Sequence, residues 1–163
     1  MTSIYNSNKI NPFLKILKGK VVIFGVGNIL RGDDGAGPAV VASLRGRVQA
    51  ACIDAGSAPE NHLGKVIKEY PDTVLIIDAV QLYSKAGSFE ILKEEELART
   101  GISTHDIPVP LIVEFIVSQT AAKVYILAIQ PDLTRFGCEL SKPVRETINQ
   151  IVRLIIEVIP LSK

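Results

Sequence analysis

Val21-Val22-Ile23-Phe24-Gly25-Val26-Gly27-Asn28-Ile29-Leu30-Arg31-Gly32-Asp33-Asp34-Gly35-Ala36-Gly37-Pro38 decides the fold. It begins with a continuous β-branched and aromatic run closed by glycine, the pattern of a strand buried on both faces. A glycine-rich loop with two adjacent carboxylates follows, and Pro38, tolerated in a first helical turn, introduces a helix to Leu44. Further apolar runs repeat the strand pattern: Val48 to Ile53 ending at Asp54, Val74 to Ile77 ending at Asp78, and Val124 to Ile129 ending at Gln130-Pro131-Asp132. Helical patterns lie between them. Ser57-Ala58-Pro59-Glu60 reads as a capping box opening a short helix. Ile107, Leu111, Ile112, Phe115 and Ile116 predict a helix with one apolar face and Glu114 as its exposed position. A last helix from near Ser141 turns Val144, Ile148, Ile151, Val152, Ile155 and Ile159 inward and stops at Pro160. Ser88 to Leu92 fits an antiparallel edge strand, and Glu94 to Glu96 a solvated face. Strands alternating with helices predict an α/β three-layer sandwich: a mostly parallel, twisted sheet of about five strands with helices on both faces.

The chain has 163 residues, enough for one domain, taken as 20–163 after an N-terminal extension 1–19. With 47% hydrophobic and 21% charged residues it closes a core and is too apolar for a disordered polyelectrolyte. Eighteen basic against seventeen acidic residues leave a net charge of +1, which excludes the broad cationic field that nucleic acid or an anionic membrane requires. The longest apolar stretch, Ile107 to Val117, is broken by prolines and Glu114 and falls short of the roughly 20 residues that span a bilayer. Residues 1–19 lack the uninterrupted apolar run of about 7 to 15 residues of a secretory signal. Cys52 and Cys138 lie far apart, neither in a CxxC pair, and Cys52 sits in an apolar run. A reduced, cytoplasmic chain without disulfides or a thiolate metal site is the simpler expectation.

In an open α/β sheet the loops after the carboxyl ends of the strands share one rim, where ligands bind. Asp33, Asp34, Asp54 and Asp78 all fall there, and His105 precedes the helix feeding the fourth apolar run. The glycine loop first suggests a dinucleotide site, but GxGxxG needs glycine where Leu30 stands. Two carboxylates would also oppose a pyrophosphate, by about 4 kcal/mol per charge pair at 4 Å and an effective dielectric of 20. The same charges favour a cation. Carboxylate oxygens with one imidazole suit a divalent transition metal and leave positions open for substrate, which selects Asp34, Asp78 and His105 for a cation-assisted hydrolytic or recognition site. Asp33 and Asp34 read about equally well as turn and cap residues, and Asp54 as a turn residue that also lines the groove. Asp78 ends a strongly apolar strand, where a carboxylate is costly unless paired, so a functional role is favoured there. A receiver-like domain, or another small-ligand binding module with an acidic cation pocket, is the alternative; a receiver requires a closing lysine where Gln130-Pro131-Asp132 stands. Metal-dependent hydrolysis of small molecules is a third reading.

The ordered strings Gly25 to Pro38, Asp54-Ala55-Gly56-Ser57-Ala58-Pro59-Glu60-Asn61, Ile77-Asp78-Ala79, Thr104-His105 and Ile129-Gln130-Pro131-Asp132 resemble the [NiFe]-hydrogenase maturation endopeptidases from about Val21 to Leu154. The second and last strings look closest to the subgroup serving formate hydrogenlyase-type hydrogenases. The resemblance implies an aspartyl-type endopeptidase that removes a short C-terminal extension from the hydrogenase large-subunit precursor once nickel is inserted. It implies Asp34, Asp78 and His105 as the nickel-contacting and catalytic set. Gly27, Asn28, Asp33 and Asp54 would line the groove for the substrate tail. The nickel would be carried by the precursor, held by its cysteine thiolates, and bound weakly by the free enzyme.

Overall fold

The structure, a computed structural model, describes residues 11–100 and 109–162, the side chains of 98–100 excepted. The apolar runs become β1 (Val21–Val26), β2 (Ala50–Gly56), β3 (Thr73–Ala79) and β5 (Lys123–Ile129), with β4 (Phe89–Lys93) between the last two in sequence. Their order across the sheet is β2-β1-β3-β5-β4. All neighbours run parallel except β4, which pairs antiparallel to β5 at the edge, as Ser88 to Leu92 predicted. Every residue of β1 and β3 is buried, which is why these runs carry no polar alternation.

Among the described residues six α-helices cover the sheet: α1 (Phe13–Ile16), α2 (Ala36–Leu44), α3 (Leu63–Lys68), α4 (Glu94–Thr100), α5 (Val109–Gln119) and α6 (Lys142–Val158). The pleat sends Val21, Ile23, Leu75, Ile77, Leu127 and Ile129 into one core with α2 and α6. Val22, Phe24, Val74, Ile76 and Ile126 enter a second core with α3 and α5 on the opposite face. The three-layer α/β sandwich is therefore as the sequence predicts. Phe13 and Leu17 pack into the first core, so residues 11–19 contribute to the fold. Among the described residues no helix is long and apolar enough to cross a membrane.

Four local expectations change. Strand β2 starts and ends later than Val48 to Ile53; Val48 is buried but makes an isolated bridge to Pro160. As an edge strand, β2 leaves Cys52 only half-buried. Both cysteines are free thiols; burial pushes the Cys52 thiol up, with Arg45 opposing. The Ser57–Glu60 capping box does not form, because β2 runs on to Gly56 and a 3-10 turn, Pro59–His62, starts after an uncapped Ala58. On α5 the inward stripe is Val109, Ile112, Val113 and Ile116, while Leu111 and Phe115 join Glu114 on the exposed side. This helix is apolar around most of its circumference, so hydrophobicity alone does not orient it. Ile107, assigned to the same face, lies outside the described residues.

Candidate active site at the β1–β3 switch

From β1 the chain crosses to β2 on one side, then to β3 on the other, so the strand order reverses between β1 and β3. The crevice at their carboxyl ends is the place where open α/β sheets bind ligands. Gly25 pairs with Ile77, which puts Asp78 just beyond that pair at the crevice. Asp34 lies in the 3-10 turn Gly32–Gly35 after β1, and this turn packs against β3. Asp78 is 0% exposed and Asp34 3%. Asp34 Oδ2 accepts the Asn28 N–H at 3.1 Å. Two carboxylates held so deep at one crevice are costly unless an ion, a proton or donor groups compensate.

The loop glycines explain how the carboxylates come so close to the strands. A Cβ on Gly27, whose φ is +145°, would sit 1.8 Å from Asp34 O, so only glycine lets the loop fold back on itself there. A Cβ on Gly37 would lie 2.3 Å from Ile77 O and 2.4 Å from Val26 O. The start of α2 is thus pressed against both strand ends. These glycines serve backbone packing beneath the acids, and no pyrophosphate cradle is needed to account for them.

The other sequence candidates separate. Asn28 is half-buried; its own Oδ1 accepts the Leu30 N–H at 2.9 Å, so it shapes the loop around Asp34. Gly27 is buried, and its N–H donates to Gly56 O at 2.8 Å, tying the first loop to the end of β2. Asp54 is exposed at the crevice's outer side and accepts the Gly56 N–H at 2.9 Å, the turn geometry expected of it. Asp33, expected to line the groove, is fully buried with both oxygens engaged by donors from the β5–α6 loop. His105 lies outside the described residues, and among those described no three His, Cys, Asp or Glu side chains form a metal-holding group.

Two organising residues escape a reading by charge and spacing. Gln130, 4% exposed, accepts the Leu82 N–H at 2.7 Å and so holds the loop that follows Asp78. Its signal was a polar residue closing a buried strand. Ser141, near which the last helix was expected to start, stands at the N-cap of α6 without a side-chain cap bond; its N–H and hydroxyl both donate to Asp33. Nothing in the sequence between positions 33 and 141 announces that pairing.

A family model for hydrogenase maturation proteases matches residues 38–158. The chain belongs to the hydrogenase maturation protease family. It is therefore an endopeptidase, a hydrolase, and the crevice acids are its candidate catalytic groups. A hydrogenase maturation protease relative from Methanocaldococcus jannaschii is 33% identical over 151 residues, covering 86% of this chain and 88% of its own length. The hydrogenase 3 maturation protease of Escherichia coli is 29% identical, with 80% of this chain and 85% of its own covered. The crystal structure of a [NiFe] hydrogenase maturation protease from Thermococcus kodakarensis superposes with a TM-score of 0.83 at 28% identity, over 90% of this chain and 97% of that one. In this hydrogenase maturation protease the buried acids stand at the crevice between the carboxyl ends of β1 and β3. Carboxylates can accept a proton from water or ligate a cation.

Proposed function

We propose that this protease removes the C-terminal extension of a [NiFe]-hydrogenase large-subunit precursor after nickel insertion, in the cytoplasm, and that the inserted nickel is its recognition element. The supporting observation is the placement of two buried carboxylates, Asp34 and Asp78, at one switch-point crevice. Carboxylate oxygens, with the His105 imidazole as third donor, fit a borderline divalent ion already held by precursor thiolates. The ion is thus part of the substrate, and the free enzyme binds it weakly. A carboxylate of the pair takes the proton of the attacking water and returns it to the departing amine, so that one amide bond breaks and one carboxylate and one amine form. Beside Asp34, the loops present exposed apolar side chains, Ile29, Leu30, Leu133 and Phe136, suited to the apolar residues of an extended tail.

Nickel-loaded and nickel-free precursor, each incubated with the protease and weighed intact, test this reading. Loss of the tail mass only from the nickel-loaded precursor is expected. Equal cleavage of both, or of neither, contradicts nickel-gated proteolysis.

A further inference from the structure

Three carboxylates are buried among the described residues, and the proposed chemistry uses only Asp34 and Asp78. The third, Asp33, is 0% exposed and faces donors alone. Its Oδ2 accepts the N–H groups of Asp132 at 2.8 Å and Leu133 at 3.0 Å and the Ser141 hydroxyl at 2.8 Å. Its Oδ1 accepts the Ser141 N–H at 2.7 Å. These partners bracket the loop that leads from β5 to α6, and Ser141 stands directly before that 17-residue helix, where a negative charge is favoured.

The same two loops are also joined along their backbones. Asp33 N–H donates to Leu133 O at 2.8 Å, Gly32 N–H to Cys138 O at 3.0 Å, and Gly137 N–H to Leu30 O at 2.8 Å. Arg31 Nε donates to Thr134 O at 3.2 Å. The turn carrying Asp34 is therefore fastened to the β5–α6 loop through the residue directly before Asp34. On the other side, Asn28 holds the Asp34 carboxylate itself.

We infer that Asp33 is a positioning residue for proteolysis: its carboxylate locks the β5–α6 loop to the turn that carries Asp34 and so fixes where Asp34 meets the substrate. The inference rests on the proteolytic reading above. A carboxylate accepts at both oxygens, whereas an amide of the same shape turns an N–H2 group toward donors on one side. Asp33→Asn thus keeps volume and breaks the lock.

The test compares wild type, Asp33→Asn and Ser141→Ala, each as the full chain, on the nickel-loaded precursor at a temperature where circular dichroism shows all three folded. Asp33→Asn is expected to lower kcat by about 10- to 100-fold, the scale of a misplacement near 1 Å, with KM within about twofold of wild type. Amide exchange should show lost protection at Asp132, Leu133 and Ser141. Ser141→Ala, which removes one of the bonds to Asp33, should lower kcat severalfold at unchanged KM and carries the test if Asp33→Asn does not fold. A lowered melting temperature with unchanged kcat per folded molecule overturns the positioning role and leaves a structural one. Absence of cleavage by wild type is a separate result, which removes the proposed processing of this precursor and the positioning role with it.

Discussion

Asp78→Asn is expected to lower kcat/KM for precursor processing by about 10³-fold while the protein still folds. The substitution keeps shape and volume at a side chain that is 0% exposed, so the packing of β3 against β5 is retained. What it removes is the charge and basicity at the end of the strand. In the proposed reaction that charge either meets the substrate's ion or takes the proton of water, and an amide does neither. Steady-state cleavage measured with circular dichroism on the same samples checks this. Processing within about threefold of wild type, in a folded variant, would assign Asp78 to structure alone.

Gly37→Ala should move stability in the direction opposite to the usual one. In an ordinary helix interior, alanine is better than glycine by about 1 kcal/mol. Here the added methyl would meet the backbone oxygens of Ile77 and Val26, which belong to two central strands and cannot swing aside. Overpacking of this kind costs on the order of 3 kcal/mol, which corresponds to a melting temperature lower by about 6–12 °C in a domain of this size. A thermal melt that is unchanged or raised would show that α2 has room to move away from the strand ends. The same contact adjoins Asp78, so processing should fall as well.

Most of the fold was legible because the strands are buried on both faces. Val21 to Phe24 and Val74 to Ile77 have no polar alternation to confuse the pattern, and their polar terminators mark the rim. Legibility failed where burial was partial or uniform. Strand β2 lies at an edge, so Val48 satisfied the pattern although it sits outside the strand. Helix α5 is apolar on several sides, so Leu111 and Phe115 were assigned inward although the sheet meets Val109 and Val113. The placement of Asp34 and Asp78 at one end of the sheet was readable because each comes after an apolar run that forms a buried strand. The partners of Asp33 were not readable, because they are three backbone N–H groups and one hydroxyl about a hundred residues away, with no charge or spacing to mark them. Adjacent acids in one turn have different surroundings, Asp34 at the crevice and Asp33 clamped among donors of the β5–α6 loop.

Nickel-edge X-ray absorption on a nickel-loaded precursor made resistant at its scissile bond tests most directly whether the crevice acids reach the substrate's ion. Adding the wild-type protease should introduce oxygen or nitrogen neighbours into the sulfur-dominated shell, and the Asp34→Asn, Asp78→Asn double variant should not. Identical spectra with and without wild-type protease, under conditions where the two proteins are bound to each other, would contradict the account.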